Sequence, residues 1–342
     1  MWLACSLRHW HRGFLMIGIG IIGGGRIAAG HAQAVVANAG LLELRGIASA
    51  RPERLSELVG KFGGTGYADW RQMVERPDID AVVIGLRNDQ HLEAVLAAAK
   101  AGKHILLEKP MAMTLPECDR MIEAARAAKV KLFVGQTQHF FAVNQAAKKL
   151  LDSGEMGRPV IVTDTWYKPF GLSVRQPWFL DRAHGGGMWF MNGNHMIDRM
   201  IWFTGSKVVG VRANISSPLL GLKSDDTAVA MLEHENGLLS TLTHAGYDVG
   251  DERWIGEFIC TKGMVKVSTF PPNPGLWAAR KNAYEPVPFE DFDAMAAEFR
   301  AFGECVRDNA AEPVSPEHAR HVMEVMLAAE ESSRTGREVR LR

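Results

Sequence analysis

Residues 17–28 read IGIGIIGGGRIA, and this stretch decides the fold of the first half of the chain. The apolar run 17–22 is typical of a buried strand in a parallel sheet. Gly23, Gly25 and Ala28 then match the G-x-G-x-x-A pattern, whose glycines allow a tight turn and close approach to a pyrophosphate. A strand precedes the motif and a helix follows it, so the stretch predicts a dinucleotide-binding turn rather than a glycine-rich turn without a ligand.

The residues downstream of this turn alternate between short apolar runs and helical segments. The predicted strands are 17–22, 42–49, 81–84, 104–107 and 131–134, and the predicted helices include 52–61, 92–101 and 115–128. Strands separated by helices pair in parallel through right-handed crossovers. We therefore expect residues 16–138 to form an α/β Rossmann domain with a doubly wound parallel sheet.

The end of the second predicted strand bears on which dinucleotide is bound. NAD-binding domains carry an acidic residue there that binds the ribose 2′-hydroxyl. This chain has Ser49 in the acidic place, with Arg51 close behind it. A hydroxyl and a guanidinium suit a 2′-phosphate, so the segment favours NADP over NAD. In the alternative, Arg51 only solvates the first turn of the next helix.

The composition excludes several classes of function. The 342 residues include 39 Lys and Arg against 39 Asp and Glu, and this zero net charge argues against binding nucleic acid mainly through its phosphates. The four cysteines are scattered without the spacing of a zinc site, which favours free thiols in a reducing compartment. No apolar run approaches the roughly 20 residues that span a bilayer. We expect a cytoplasmic protein with a small-molecule substrate, and no metal, nucleic-acid or membrane partner.

Residues 1–15 do not have the pattern of a signal peptide, because their basic residues follow rather than precede a very short apolar stretch. We expect either a loose extension or a non-native segment ahead of a start at Met16.

The pattern changes after about residue 150. Runs at 159–165, 207–216, 227–233, 237–242, 254–261 and 264–267 are typical of strands, whereas 291–308 and 316–332 are helical. Short links that contain glycine favour antiparallel pairing. We therefore expect residues 139–342 to form a second α/β domain on a mostly antiparallel sheet.

Four stretches together resemble the Gfo/Idh/MocA family of NAD(P)-dependent oxidoreductases. They are IIGGGRIAAGHA from Ile21, NDQHLEAVLAAAKAGKHILLEKPMA from Asn88, GGGMWFMNGNHMIDRMIWFTG from Gly185 and EESSRTGREVRL from Glu330. The resemblance implies a large open-faced sheet in the second domain, a last helix that packs back near the first domain, and a substrate bound between the domains. It also implies a homodimer or homotetramer, because such sheets often pair.

Glu108-Lys109-Pro110 belongs to the most specific part of this resemblance. The resemblance implies that Lys109 is the acid-base group beside both cofactor and substrate. An ammonium there would stabilise the alkoxide that develops when a carbinol loses a hydride, and it can exchange its proton. Burial between domains would lower its pKa toward the working range. The alternative is an exposed lysine at a strand end.

Asn88 and His91 match the P-N-x-x-H segment of the family at the edge of the cofactor site, although Arg87 replaces the proline. The predicted cofactor-binding residues are Gly23, Gly25, Arg26, Ile27, Ala28, Ser49, Arg51, Asn88, His91, Glu108, Lys109 and Pro110.

A second glycine cluster introduces a predicted helix at 188–204. The family pattern G-G-G-x-x-x-D-x-G-x-H-x-x-D is matched from Gly185 onward, except that Met191 stands at the first aspartate; Asp198 matches the second. Residues four apart share a helix face, so Met191 would lie beside His195 and deprive it of a supporting carboxylate. Asn192 would point about 100° away on an ideal helix. We expect His195 to assist Lys109 on an unusual, more apolar substrate; in the alternative, the chemistry is lost or changed.

A long segment at 166–187 is rich in aromatic and basic residues, and loops of this length are often functional. Lys168 or Arg175 would bind a hydroxyl or a carboxylate there, unless the loop is simply solvated. The predicted substrate-binding residues are Lys109, Tyr167, Arg175, Met191, Asn192 and His195, of which Lys109 and His195 are the predicted catalytic pair.

These features predict hydride transfer between a nicotinamide and a carbinol or carbonyl carbon of a sugar, polyol or related cyclic alcohol. Two alternatives stay open at this point. One is a hydrolase or lyase that oxidises its substrate transiently with a retained NAD, and the other is a non-catalytic dinucleotide-binding sensor.

Overall fold

The structure, a computed structural model, describes residues 16–270 and 274–341, so the predicted extension at 1–15 lies outside it. The helices are α1 (Ala28–Ala37), α2 (Pro52–Phe62), α3 (Trp70–Val74), α4 (His91–Lys100), α5 (Leu115–Ala128), α6 (Ala142–Asp152), α7 (Asn194–Thr204), α8 (Ala294–Arg307) and α9 (Pro316–Thr335). The strands of the first half are β1 (Ile17–Ile22), β2 (Leu42–Ala48), β3 (Thr65–Tyr67), β4 (Ala81–Ile84), β5 (His104–Glu108) and β6 (Leu132–Gly135). Those of the second half are β7 (Pro159–Pro169), β8 (Val208–Ser216), β9 (Thr227–His234), β10 (Leu239–Tyr247), β11 (Arg253–Cys260), β12 (Gly263–Ser268), β13 (Gly275–Ala279), β14 (Glu285–Pro286) and β15 (Val339–Arg340).

The first half forms a six-stranded parallel sheet in the order β3-β2-β1-β4-β5-β6. This order reverses between β1 and β4, which is where doubly wound folds bind dinucleotides. Every residue of β1 and of β4 is buried, as expected of strands covered by helices on both faces. The predicted Rossmann fold is therefore confirmed. The short elements β3 and α3 were not predicted, because three and five residues carry no resolvable periodicity.

The second half forms a nine-stranded sheet in the order β14-β13-β12-β11-β7-β10-β9-β8-β15. Its one parallel pair is β7 with β10, and its other pairs are antiparallel. The predicted mostly antiparallel sheet is confirmed. The sequence patterns missed α6, the strand β13 and the two edge strands β14 and β15.

Both C-terminal helices contact the first half of the chain. Helix α9 packs on β8 and also on α5 and β6, while α8 packs on α1. Arg320 of α9 donates to Asp119 of α5 over 2.5 Å from Nε to Oδ1. Helix α9 therefore connects the two sheets, whereas α8 covers the face of the parallel sheet that carries α1.

The large sheet carries exposed apolar side chains on four neighbouring strands. Ile161, Val229, Met231, Leu239 and Ile259 are each at least 42 % exposed. Ile161 is paired with both Leu239 and Ile259, so they form a contiguous row across three strands. Among the described residues, no helix is both long and apolar enough to cross a membrane.

A buried ion pair fastens α7 to the middle of this sheet. Arg199 of α7 donates to Asp164 of β7, and Trp254 of β11 donates to the same carboxylate over 3.0 Å. The Arg199 guanidinium also lies 4.2 Å from the ring centroid of Trp254 and donates to Thr269 over 2.6 Å. Arg199 and Asp164 are almost fully buried, so each charge depends on the other for compensation.

Replacing Arg199 by Met should lower the free energy of unfolding by about 3–5 kcal/mol, because Asp164 keeps a buried charge without its partner. The doubly apolar variant Arg199→Met with Asp164→Leu should lose less than Arg199→Met alone. Urea unfolding followed by tryptophan fluorescence measures both values. Arg340→Met is the control, because Arg340 pairs with Glu233 on the surface, where such pairs contribute up to about 1 kcal/mol. Equal losses for the single and double variants would show that the ion pair is not coupled.

Candidate active site

Two connected cavities lie where the parallel sheet meets the large sheet. The larger, of about 1190 Å³, begins at the glycine turn after β1 and passes the ends of β2, β4 and β5. The smaller, of about 530 Å³, lies toward the large sheet. The residues that line both cavities are Lys109, Arg175, Phe179, Met191, His195 and Phe270. Pockets at the carboxyl ends of parallel strands are the usual ligand sites of this architecture.

The glycine turn packs closely against neighbouring segments at Gly23 and Gly24 and is open only at Gly25. Gly23 has a φ of +116°, and a Cβ there would lie 2.4 Å from the Gly85 carbonyl oxygen. A Cβ on Gly24 would lie 2.2 Å from the hydroxyl oxygen of Ser49, whereas a Cβ on Gly25 would have no neighbour closer than 3.8 Å. Helix α1 starts here without a side-chain cap or an acidic residue in its first turn. The turn therefore fits a pyrophosphate, which would accept from the free amides.

The predicted turn residues divide into two groups. Arg26 and Ile27 line the cavity together with Gly23 and Gly25. Ala28 is instead buried against Ile47 and Leu58, where its small size lets α1 approach the sheet. This is the packing role that the motif assigns to its third small residue.

Arginine side chains line the larger cavity at the end of β2. Arg51 donates from Nη2 to the Gly24 carbonyl over 2.5 Å, and its amide donates to the Ser49 hydroxyl over 3.2 Å. Arg54, one turn further on, donates to the carbonyls of Gly24 and Gly25 at 3.5 Å. All three side chains, Ser49, Arg51 and Arg54, line the cavity. Sequence analysis did not select Arg54, although its place in the first turn of α2 beside Arg51 was a usable signal.

Lys109 lies at the junction of the two cavities. Its Nζ donates to the main-chain oxygen of Met191 over 3.2 Å, and the peptide bond to Pro110 is cis. Burial lowers the pKa of Lys109; Glu108 opposes this shift, and the charges of Lys168 and Arg175 reinforce it. The ammonium is therefore a stronger acid than an ordinary lysine, and its neutral form is accessible as a base.

Glu108 is the buried carboxylate next to this lysine. It forms a 2.8 Å hydrogen bond with Nε2 of His31 on α1. Burial alone would raise the pKa of Glu108, but the hydrogen bond with His31 and the charge of Lys109 hold it below its ordinary value. Glu108 therefore stays ionised and lines the larger cavity.

His91 and Pro110 do not lie on the cavity wall that the resemblance assigned to them. His91 is fully buried, with Nε2 3.2 Å from the Leu86 oxygen and Nδ1 3.1 Å from the Pro110 oxygen. Because both ring nitrogens are engaged by main-chain oxygens, His91 fixes the segment that follows Lys109 rather than lining the cofactor cavity. Pro110 is buried behind the same segment.

Asn88 lines the cavity and connects its two sides. Its amide nitrogen donates to the Gly185 carbonyl over 2.7 Å and lies 3.2 Å from the sulfur of Met191. Arg87, at the family's proline position, also lines the cavity and is paired with Asp89.

The predicted helix at 188–204 is interrupted in its first part. Residues Trp189–Gly193 form a π-helical turn, and α7 follows it. Such turns are frequent at functional sites. Met191, Asn192 and His195 all line the smaller cavity, so Asn192 does not point away from the site as an ideal helix would require.

His195 lies beside the tryptophan pair of the large sheet. Its ring centroid is 6.4 Å from that of Trp166, and its Nδ1 is buried with no hydrogen-bond partner among the described residues. Burial and then the charge of Lys109 hold the pKa of His195 well below its ordinary value, although Asp198 opposes the shift. His195 is therefore a neutral imidazole. Asp198 accepts hydrogen bonds from His139 and His318 at 2.9 and 2.7 Å, not from His195.

Residues of β7 form one wall of the smaller cavity. Trp166 and Lys168 line it, whereas Tyr167 does not. Side chains alternate across a strand, so Tyr167 lies on the other face of the sheet under Arg253. The structure therefore does not bring Tyr167 to the cavity wall, and the period-2 pattern of this strand points to its two neighbours instead.

Arg175 stands on the loop that follows β7, as predicted, and lines both cavities. Its guanidinium lies 4.4 Å from the ring centroid of Phe179, and Nε donates to the Phe170 carbonyl over 3.0 Å. Burial, followed by the charge of Arg26, lowers the pKa of Arg175.

Glu298 of α8 is a buried acid near the site that sequence analysis missed. Its Oε2 accepts from the Thr137 hydroxyl over 3.0 Å, and Oε1 has no partner among the described residues. Burial, and then the charge of Glu108, raises the pKa of Glu298 to about 8. Glu298 is therefore mostly protonated near neutral pH. No local pattern in the sequence connects α8 with the end of β5.

Each half of the chain matches a known protein family. Residues 17–136 match a family described as "Oxidoreductase family, NAD-binding Rossmann fold", and residues 144–266 match one described as "GFO/IDH/MocA C-terminal domain". The chain is 32 % identical to myo-inositol 2-dehydrogenase of Thermotoga maritima, over 67 % of this chain and 70 % of that protein. It is 26 % identical to scyllo-inositol 2-dehydrogenase (NAD(+)) of Bacillus subtilis, over 94 % and 95 %.

A solved structure extends the likeness over nearly the whole fold. The aldose-aldose oxidoreductase of Caulobacter crescentus, complexed with glycerol, superposes with a TM-score of 0.86 at 25 % identity, covering 96 % of this chain and all of that one. The nucleotide-binding turn, the second sheet and these similarities agree: the chain belongs to the Gfo/Idh/MocA family and is an enzyme of its dehydrogenase and reductase class.

Proposed function

We propose that this enzyme transfers a hydride between NAD(P) and a carbinol or carbonyl carbon of a sugar, polyol or related cyclic alcohol. The observation that carries the proposal is the position of Lys109, which lies where the glycine-turn cavity joins the smaller cavity. A proton-exchanging group placed between a cofactor site and a substrate site is what this reaction requires. The inositol dehydrogenases among its relatives support a cyclic polyol as the substrate class.

When bound, the nicotinamide supplies the hydride acceptor for oxidation of the carbinol. Lys109 accepts the hydroxyl proton in its neutral form and returns a proton to the oxygen when the reaction runs toward the alcohol. Burial favours the neutral form, and Glu108 limits the shift so that the ammonium can also form. Lys109 thereby serves both directions of the reaction.

His195 supports the substrate oxygen as a neutral hydrogen-bonding group. Met191 offers a thioether in place of a carboxylate, so nothing beside His195 at that position favours the imidazolium. Lys109 carries the proton transfer alone, and His195 orients the hydroxyl. The thioether adds an apolar contact to the substrate side of the cavity.

We also propose NADP as the preferred cofactor. Arg51, Arg54 and the Ser49 hydroxyl form a cationic wall at the end of β2, in the place where NAD-specific domains carry an acid. The exposed apolar row on the large sheet supports pairing of two chains into a homodimer or larger homo-oligomer. A cytoplasmic location stays a prediction.

Replacing Lys109 by Ala should lower kcat about a hundredfold to ten-thousandfold, because the substrate proton loses its acceptor. NAD(P)H binding, followed by quenching of tryptophan fluorescence, should change little. The exposed lysine Lys100→Ala on α4 is the control. Full turnover by Lys109→Ala would show that another group moves the proton, and turnover without net NAD(P)H formation in the native enzyme would favour the hydrolase or lyase alternative.

The pH profile of alcohol oxidation should follow the lowered pKa of Lys109. Because the neutral amine is the active form, kcat/KM should rise with pH and reach its plateau below pH 10.5, the ordinary lysine pKa. The profile is measured at saturating cofactor. Lys109→Arg should remove this rise, since arginine stays protonated over the accessible range. A profile that is unchanged in Lys109→Arg would assign the titration to another residue.

Replacing Arg51 by Ala should raise the Kd for NADPH about tenfold to hundredfold, since a charged contact to the 2′-phosphate is lost. The Kd for NADH should stay nearly constant. Arg45→Ala on β2 is the control, because Arg45 pairs with Glu43 at the surface. Equal effects on NADPH and NADH, or tighter binding of NADH to the native enzyme, would contradict the NADP assignment.

A further inference from the structure

The smaller cavity is lined by more cationic than anionic side chains. Lys109, Lys168 and Arg175 lie on its wall, and Glu252 is the one carboxylate among the described residues that line it. Cations held this close to one another and away from bulk water repel, and each costs free energy unless a negative charge compensates it. This excess of positive charge therefore suggests that an anionic group binds in the cavity.

Lys168 has one carboxylate neighbour among the described residues, Glu252, without a close hydrogen bond to it. Its Nζ lies 3.7 Å from Oε1 of Glu252, which is long for a hydrogen bond, and 4.8 Å from the ring centroid of Trp166. Burial lowers the pKa of Lys168; Glu252 opposes the shift and the charge of Arg175 reinforces it. Lys168 and Glu252 together therefore add little net charge to the cavity.

Arg175 has no carboxylate partner among the described residues. Its Nε is engaged by the Phe170 carbonyl, and its guanidinium lies against two phenylalanine rings, at 4.4 and 5.2 Å from their centroids. The terminal Nη groups donate no hydrogen bond to the described residues. An arginine fixed in this way, with its donor edge free beside a cavity, has the geometry that recognises planar anions.

We propose that the substrate of this enzyme carries a carboxylate, bound by Arg175 and Lys168. The proposal rests on the hydride-transfer function above and narrows its substrate class to sugar acids and carboxylated cyclic polyols. Lys109 acts as the base in its neutral form, and Lys168 is balanced by Glu252. One uncompensated positive charge, that of Arg175, therefore faces the substrate, which a single carboxylate neutralises.

The same charge count argues against a phosphate ester. A phosphate monoester carries about −1.5 to −2 charges at neutral pH, more than this wall compensates. Arg26 lies close enough to Arg175 to lower its pKa, which raises a second possibility. Arg175 would in that case bind the cofactor pyrophosphate, and the experiment has to separate the two roles.

Matched ligands test the proposal directly on the native enzyme. Glucose, glucuronate and glucose 6-phosphate share one ring and differ only at C6, and quinamide and quinate form a second pair on a cyclohexane ring. Both oxidation with NAD(P) and binding to the enzyme–NAD(P)H complex by calorimetry are measured. In at least one series, the carboxylate should exceed its neutral partner by about tenfold or more in kcat/KM and in affinity, as a charge-assisted hydrogen bond provides. It should also exceed the phosphate.

Variants then assign the preference to the two residues. Arg175→Gln and Lys168→Met should each reduce the ratio of kcat/KM for the acid to that for its neutral partner by about tenfold or more. Arg175→Lys should retain part of the ratio. Arg253→Gln removes a cation from the opposite face of the same sheet and should leave it unchanged. Melting temperatures close to that of the native enzyme exclude misfolding as the cause.

The outcomes separate this proposal from the proposed function. Neutral ligands that bind and react as well as the acids would overturn the carboxylate subsite and leave the dehydrogenase intact. Acids that bind selectively without NAD(P) reduction would retain the subsite and overturn the proposed reaction. A rise in the Kd for NAD(P)H in Arg175→Gln, with an unchanged acid-to-neutral ratio, would assign Arg175 to the cofactor. Preference for the phosphate would overturn the carboxylate assignment.

Discussion

A guanidinium and a carboxylate, both withdrawn from water, hold α7 against the large sheet. Arg199 lies one helical turn after His195, and Asp164 lies two residues before Trp166 on β7. This ion pair therefore helps to fix the distance between the imidazole and the wall of the substrate cavity. Buried ion pairs contribute little net stability compared with apolar packing, but any arrangement that separates Arg199 from Asp164 leaves a buried charge unpaired. Precise placement of His195 is the benefit that this chain obtains from it.

Burial also determines the electrostatics around Lys109, because it is the main cause of the lowered pKa of this lysine. Two carboxyl groups approach this region, and they are in different protonation states. Glu108 stays ionised through His31, Glu298 is mostly protonated, and the position beside His195 holds the thioether of Met191. Lys109 therefore has one nearby negative charge and two positive neighbours, Lys168 and Arg175. Burial lowers the pKa of Lys109 and this one negative charge opposes the shift, so the neutral amine is more accessible than in an exposed lysine.

Local patterns in the sequence were sufficient for the Rossmann domain and the main strands of the second sheet. Buried parallel strands and the glycine turn are short-range signals, so β1 and the start of α1 could be placed from residues 17–28 alone. Edge strands such as β14 and β15 have two residues each and depend on pairing with distant segments, which no local pattern encodes.

The site residues divide in the same way. Lys109, His195 and Arg51 lie in recognisable segments, and the structure brings them to one pair of cavities. The structure differs from the sequence-based expectations where the side-chain direction matters. Tyr167 was selected by residue type although strand alternation turns it away, and Asn192 was judged on an ideal helix although a π turn redirects it. His91 was selected by motif although main-chain oxygens engage both of its nitrogens.

Strand β7 lies in the interior of the large sheet, between β10 and β11. A shift of its register by one residue would turn Trp166 and Lys168 to the outside and bring Tyr167 into the cavity. An insertion or deletion in β7 would therefore disrupt the cavity wall, so related enzymes should not change their substrates in this way. The loop after β7 is held by an ion pair between Arg182 and Glu330, but it is not part of a sheet and has no register to preserve. Divergence in substrate range should thus proceed by side-chain replacement on β7 and by changes of length in the loop that carries Arg175.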